Sequence, residues 1–162
     1  MIVHALKYRN MHPRLGNALK MILAWAVLSF FLNLAWEIAQ LPLYTIPSAQ
    51  STPQIAYAVA HCTAGDVAIA VVSFLIAAIA LGDANWPVSR PWRGGAIAIL
   101  SGVSYTAFAE WYNVYQAGYW AYSSSMPLVF GIGLSPLLQW ILIPAATLQI
   151  VRNWAGTSPT VN

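Results

Sequence analysis

Charge is what this sequence has least of. Only 7% of its 162 residues are Asp, Glu, Lys or Arg, against roughly 25% in an ordinary soluble domain. With 59% hydrophobic residues and a mean hydropathy of +0.62, this scarcity excludes a soluble globular domain and a disordered chain. Cysteine occurs once, at Cys62. A single thiol excludes an intramolecular disulfide framework and any metal knuckle built on cysteine pairs. No cluster of Lys and Arg interleaved with aromatics is present, so nucleic acid is not an expected partner. A pI near 9.2 therefore reads as membrane topology, not as a polyanion-binding surface.

What is present is a series of apolar runs. A membrane-crossing helix needs about 20 such residues, and four runs of that order use about half of the chain. The fold class read from them is all-α: a polytopic four-helix membrane bundle forming a single domain over 1–162. The spans fall at about 21–44, 64–82, 94–113 and 127–151, after a basic tail at 1–20. The first run is too long for a signal-peptide core and lacks a small-residue cleavage site, so it reads as a retained span. Residues 53–62 read as a short interfacial helix, with Thr52 as its N-cap and Pro53 at its first position. The seven basic residues are Lys7, Arg9, Arg14, Lys20, Arg90, Arg93 and Arg152. In this threading all fall on one side. By the positive-inside tendency both termini are then cytoplasmic, in a bacterial-type inner membrane. Aromatics mark the rims, with Trp86, Trp92 and Trp154 expected in the inner belt. Gly94, Ala98, Gly102 and Thr106 recur every four residues, a spacing that lets helix backbones approach closely. Pro136 and Pro144 are expected to kink or loosen span four.

The polar residues within the spans carry the functional argument. Asn33, Glu37 and Gln40 share one face of span one. A charged carboxylate inside a span costs a few kcal/mol, so Glu37 is expected to be protonated, paired or turned toward the bundle interior. At about 1.5 Å per residue, Glu37, Asp66 and Glu110 all lie about 24 Å from the inner ends of their helices. His61 sits just above that level, Asn113 shares a face with Glu110, and Gln139 and Ser135 approach from span four. Structural alternatives accompany each. Thr63-Ala64-Gly65-Asp66 fits a capping box with Asp in the usual Glu position, and Glu110 and His61 can be interfacial and hydrated. The helix dipole separates them further. An aspartate at a helix N-terminus is favoured, whereas Glu37 and Glu110 approach C-termini and need a proton, a cation, a metal or a charged His61.

Three uses of such a cluster follow. The first is acid–base chemistry on a lipid or isoprenoid, with Glu37, Glu110, Asp66 and His61 as catalytic groups supported by Asn33, Gln40, Asn113 and Gln139. Trp36 and Trp111 would then flank a cationic intermediate. A related version places a divalent metal on Glu37, His61, Asp66 and Glu110. A haem held by two histidines is not expected within one chain, because His4 and His12 lie in the basic tail. The second use is proton or cation transport in a homo-oligomer. The third is a non-catalytic subunit or assembly factor that holds another membrane protein.

Overall fold

The structure is a computed structural model that describes residues 11–46 and 51–156. The first ten residues of the basic tail, with His4, Lys7 and Arg9, lie outside these. Four long helices dominate: α1 (Met11–Gln40), α2 (Thr52–Leu81), α4 (Pro91–Trp111) and α5 (Leu134–Gly156). Each packs on two neighbours, in the ring order α1, α2, α4, α5 and back to α1. Short elements join them. A 3₁₀ turn at Leu41–Leu43 ends α1, α3 (Trp86–Ser89) links α2 to α4, and a π-helical turn at Tyr112–Ala117 extends α4. Among the described residues three segments are long and apolar enough to cross a membrane: Gly16–Leu43, Thr52–Leu81 and Leu134–Ala155. Their outer faces expose Phe31, Ile79 and other large apolar side chains, which water would not tolerate over so wide an area.

Two boundaries differ from the sequence reading. The stretch 53–62 is not a separate interfacial helix but the first third of α2. The helix runs without interruption through Gly65. The real N-cap is Ser51, not Thr52, with Pro53 in the first turn and the Ser51 N–H bonded to Gln54 Oε1 at 2.9 Å. The start of span four also moves. Leu128–Val129 and Ile132–Gly133 pair as a small antiparallel hairpin before α5 begins. Its two-residue turn, Phe130–Gly131, has φ of 51° and 82°, the positive values that a tight hairpin requires. Pro136 therefore sits in the first turn of α5, where a missing N–H is harmless, and Pro144 is the interior proline.

The two ends of the bundle are tied differently. At the end holding the α2–α4 connection, Trp25, Phe74 and Trp86 meet with ring centroids 5.2–5.6 Å apart. The Trp86 Nε1–H donates to the Phe74 carbonyl at 3.2 Å. Trp86 was expected in an exposed belt, yet it is fully buried, whereas Trp92 and Trp154 are exposed. The small-residue stripe explains this. Gly94 lies directly under the Trp86 indole and Gly102 under that of Trp140, and a Cβ at either would run into the ring. At the opposite end, backbone pairing joins the two connecting loops. The Thr45 N–H donates to the Ala121 carbonyl and the Ser123 N–H to the Leu43 carbonyl, both at 2.9 Å.

Candidate functional site

At the loop-paired end the four helices enclose a cavity of about 300 Å³. Glu37 from α1, Asp66 from α2, Glu110 from α4 and Gln139 from α5 all line it. The sequence places three carboxyls at one level. The structure brings them to one space but sorts them into two groups.

The first group is the pair Glu37 and Asp66, whose carboxyls are in hydrogen-bond contact. Such a bond needs one proton between them. The fully buried Gln139 is the hub of this group. Its Nε2 approaches Asn33 Oδ1 at 2.9 Å, Asp66 Oδ2 at 3.0 Å and Glu37 Oε1 at 3.1 Å. Gln40 adds a bond from its Nε2 to Glu37 Oε1 at 2.7 Å. Ser135 Oγ donates to Gln40 Oε1 at 2.8 Å and accepts from Trp36 Nε1 at 3.2 Å. Asn33 is fixed in turn by its Nδ2 bond to the Ser29 carbonyl at 2.8 Å. Every side chain in the chain Trp36–Ser135–Gln40–Glu37–Gln139–Asn33 is thus oriented by a neighbour, which holds the carboxyl oxygens in fixed positions.

Asp66 is not a helix cap. It lies 14 residues inside α2, about 21 Å from its N-terminus. The dipole argument that made Asp66 self-explanatory therefore fails, and it is as much in need of partners as the glutamates. Thr63, the other half of the apparent capping box, is buried with its hydroxyl unpartnered.

The second group is Glu110, buried at the end of α4. Its Oε2 accepts from Tyr122 Oη at 2.7 Å and from Tyr44 Oη at 3.3 Å. Burial, and next the bond to Glu110, hold the Tyr122 hydroxyl above the ordinary tyrosine range, so Tyr122 remains a donor. These tyrosines answer the unfavourable helix C-terminus near Glu110. The sequence reading missed them, because they meet Glu110 only through the pairing of two loops nearly 80 residues apart. A tyrosine at the very end of the first apolar run was the available signal for Tyr44, and none marked Tyr122.

The other predicted residues are placed less centrally. His61 stands at the mouth of the cavity, exposed and stacked on Tyr57 with centroids 5.8 Å apart. Asn113 lines the wall, its Nδ2 bonded to the Ala109 carbonyl one turn back at 2.8 Å. Trp36 and Trp111 do not flank the cavity. Trp36 serves the hydrogen-bond chain and Trp111 is exposed beside Phe108. The aromatic wall is made instead by Tyr44, Tyr105, Tyr119, Trp120 and Trp140. Among the described residues no three of His, Cys, Asp and Glu converge closely enough to hold a metal ion. The divalent set Glu37, His61, Asp66 and Glu110 is thus divided between a pair, a mouth residue and a tyrosine-bound glutamate. No protein-family description, curated protein or solved structure matches the chain.

Proposed function

We propose that this chain is a four-span protein of a bacterial-type plasma membrane, with both termini cytoplasmic, and that its cavity performs acid–base chemistry on a lipid or isoprenoid. Helix α4 supplies the fourth span. It has spanning length, and its hydropathy is diluted by the glycines that admit Trp86 and Trp140. The orientation rests on the seven basic residues, all assigned by this threading to the side of the α2–α4 connection.

The observation that carries the functional reading is the division of the carboxyls. A proton-sharing pair and a separate, tyrosine-held glutamate face one space with largely apolar walls. That is the equipment for moving a double bond. The Glu37–Asp66 pair donates its proton to one alkene carbon, and Glu110 removes a proton from the carbon next to the cation so formed. The double bond shifts by one position, no electrons are gained or lost, and no further reactant is required. The aromatic wall stabilises the cationic state between the two transfers, and Gln139 holds the acid pair in register. Within a single bundle an ion pathway is not supported, because Trp25, Phe74 and Trp86 fill the other end.

The reading is tested by incubating the protein, in nonionic micelles, with total membrane lipid in heavy water. Untargeted mass spectrometry then follows deuterium in each lipid class. Wild type is expected to load deuterium into one class and Glu37→Gln into none. Absence of protein-dependent uptake in every class would overturn the acid–base reading.

A further inference from the structure

The charges lining the cavity are of one sign. Three carboxyls face it, yet no Lys or Arg occurs anywhere in residues 21–89 or 94–151, the segments that build its walls. His61 is the one basic side chain on the lining, and it stands at the exposed mouth. The proton shared by Glu37 and Asp66 neutralises one of the three groups, and the tyrosines donate to Glu110 without neutralising it. A carboxyl that ionises here does so in a low-dielectric space with no cationic partner among the described residues except the exposed His61, an arrangement that strongly favours a cation from outside.

A second, independent feature points to an occupant. Thr106 is 7% exposed and lies on the cavity wall, and its hydroxyl has no hydrogen-bond partner. A buried hydroxyl left unpaired costs about 1–3 kcal/mol; the oxygen itself is covered, and turning the side chain toward an occupant of the cavity would remove that penalty. The walls then decide which cation. They are mostly apolar and aromatic, with Tyr105, Trp120 and Trp140 among them, and among the described residues no three His, Cys, Asp or Glu side chains converge to replace the water around a small inorganic ion. At about 300 Å³ the space lies at the lower end of the ~300–1,000 Å³ typical of small-molecule sites.

From these features we infer that the cavity binds an organic monocation: a protonated amine or quaternary ammonium carried on an apolar body, its charge set against Glu110 and the Glu37–Asp66 pair and its methyl or ring carbons against the indoles. The inference rests on the acid–base reading for its site alone, not for its reaction. If that reading also holds, such a monocation occupies the place of the cationic intermediate and inhibits turnover.

The probe is radiolabelled phenyltrimethylammonium, whose charge is independent of pH, measured by equilibrium dialysis against the protein in nonionic micelles with empty micelles subtracted. Saturable binding is expected, together with displacement by unlabelled probe. The neutral isostere tert-butylbenzene should compete at least about tenfold less well. Glu110→Gln and Asp66→Asn should each weaken binding by about tenfold or more, while Trp92→Phe, at the far end of the bundle, should not. Equal competition by tert-butylbenzene would mean that the cavity reads shape alone and would overturn the inference. So would the absence of saturable binding, or displacement by sodium or potassium at the probe's own concentration. Binding of the probe without deuterium uptake by any lipid overturns the reaction but keeps this inference. Uptake without probe binding does the reverse.

Discussion

One end of this bundle is closed by aromatic rings and the other by hydrogen bonds, and the two closures answer to different constraints. At the ring-closed end, Trp25, Phe74 and Trp86 interlock over Gly94, so contact is gained by removing side chains from α4. Between lipid-facing helices, where hydrophobic transfer drives little, such close packing is a main source of cohesion. At the other end the same four helices enclose three carboxyls and a cavity. There cohesion depends on Gln139, Gln40 and two tyrosines satisfying buried and half-buried polar groups. The tight end can be lost only by unfolding, whereas the polar end can lose its chemistry and keep its shape. Each substitution below is aimed at one end and read at both.

The largest expected effect is at the tight end. Trp86→Ala empties the space over Gly94 and leaves Trp25 and Phe74 without their partner. Large aromatic truncations of this kind cost about 3–5 kcal/mol. Unfolding in mixed micelles titrated with sodium dodecyl sulfate measures it. The fraction that remains folded is expected to keep its deuterium uptake, because the cavity lies at the other end. Loss of uptake at full folding would show that the two ends are mechanically coupled and would break the comparison.

Next comes Gln139→Leu. The side chain is similar in size but removes the donor shared by Asn33, Glu37 and Asp66. Buried acceptors left unsatisfied are expected to cost about 2–3 kcal/mol, measured by the same titration. Here stability and chemistry should fall together, since the carboxyl pair loses both its satisfaction and its register. A stable, active Gln139→Leu would reduce Gln139 from hub to filler.

The tyrosines allow a finer test, because they donate to the same oxygen at different lengths. Tyr122→Phe removes a 2.7 Å bond and is expected to cost about 1 kcal/mol, whereas Tyr44→Phe removes a 3.3 Å bond and should cost a few tenths. Deuterium uptake should follow the same order if Glu110 is the base, because Tyr122 fixes the carboxylate that takes the proton. Equal effects would place Glu110 midway between the two hydroxyls.

The legibility of the two ends in the sequence differs for physical reasons. The stripe Gly94, Ala98, Gly102 and Thr106 is a property of one helix, so its spacing announces a buried face without knowledge of the partner. It even continues, one turn on, to the buried Glu110. Asn33, Glu37 and Gln40 are legible in the same way. The partners are not. Trp86 follows a turn and precedes a proline, which is also how a belt tryptophan looks, and only the fold-back of α3 over Gly94 buries it. Tyr122 meets Glu110 through a loop–loop pairing that no local pattern encodes, and Gln139 becomes the hub only because α5 lies beside α1 and its side chain reaches across the bundle to Asp66 of α2. Sequence periodicity thus gives the face of each helix, and the assignment of facing residues waits on packing.

The smallest expected effects concern two sequence patterns that look alike. Ser51-x-x-Gln54 and Thr63-x-x-Asp66 both resemble capping boxes, and both precede apolar residues. The first starts a helix, and its backbone N–H is satisfied by Gln54 at 2.9 Å. The second lies in mid-helix, where every backbone N–H already has a carbonyl four residues back and nothing is left to cap. Ser51→Ala should therefore cost about 1 kcal/mol. Thr63→Val, which keeps the shape and deletes an unpartnered hydroxyl, should change stability by less than about 0.5 kcal/mol and in the favourable direction. If the signs were reversed, α2 would be two helices meeting at Asp66, the dipole would again favour that carboxylate, and Asp66 would no longer need to share a proton with Glu37. The smallest of these measurements thus bears directly on whether the polar end holds an acid pair.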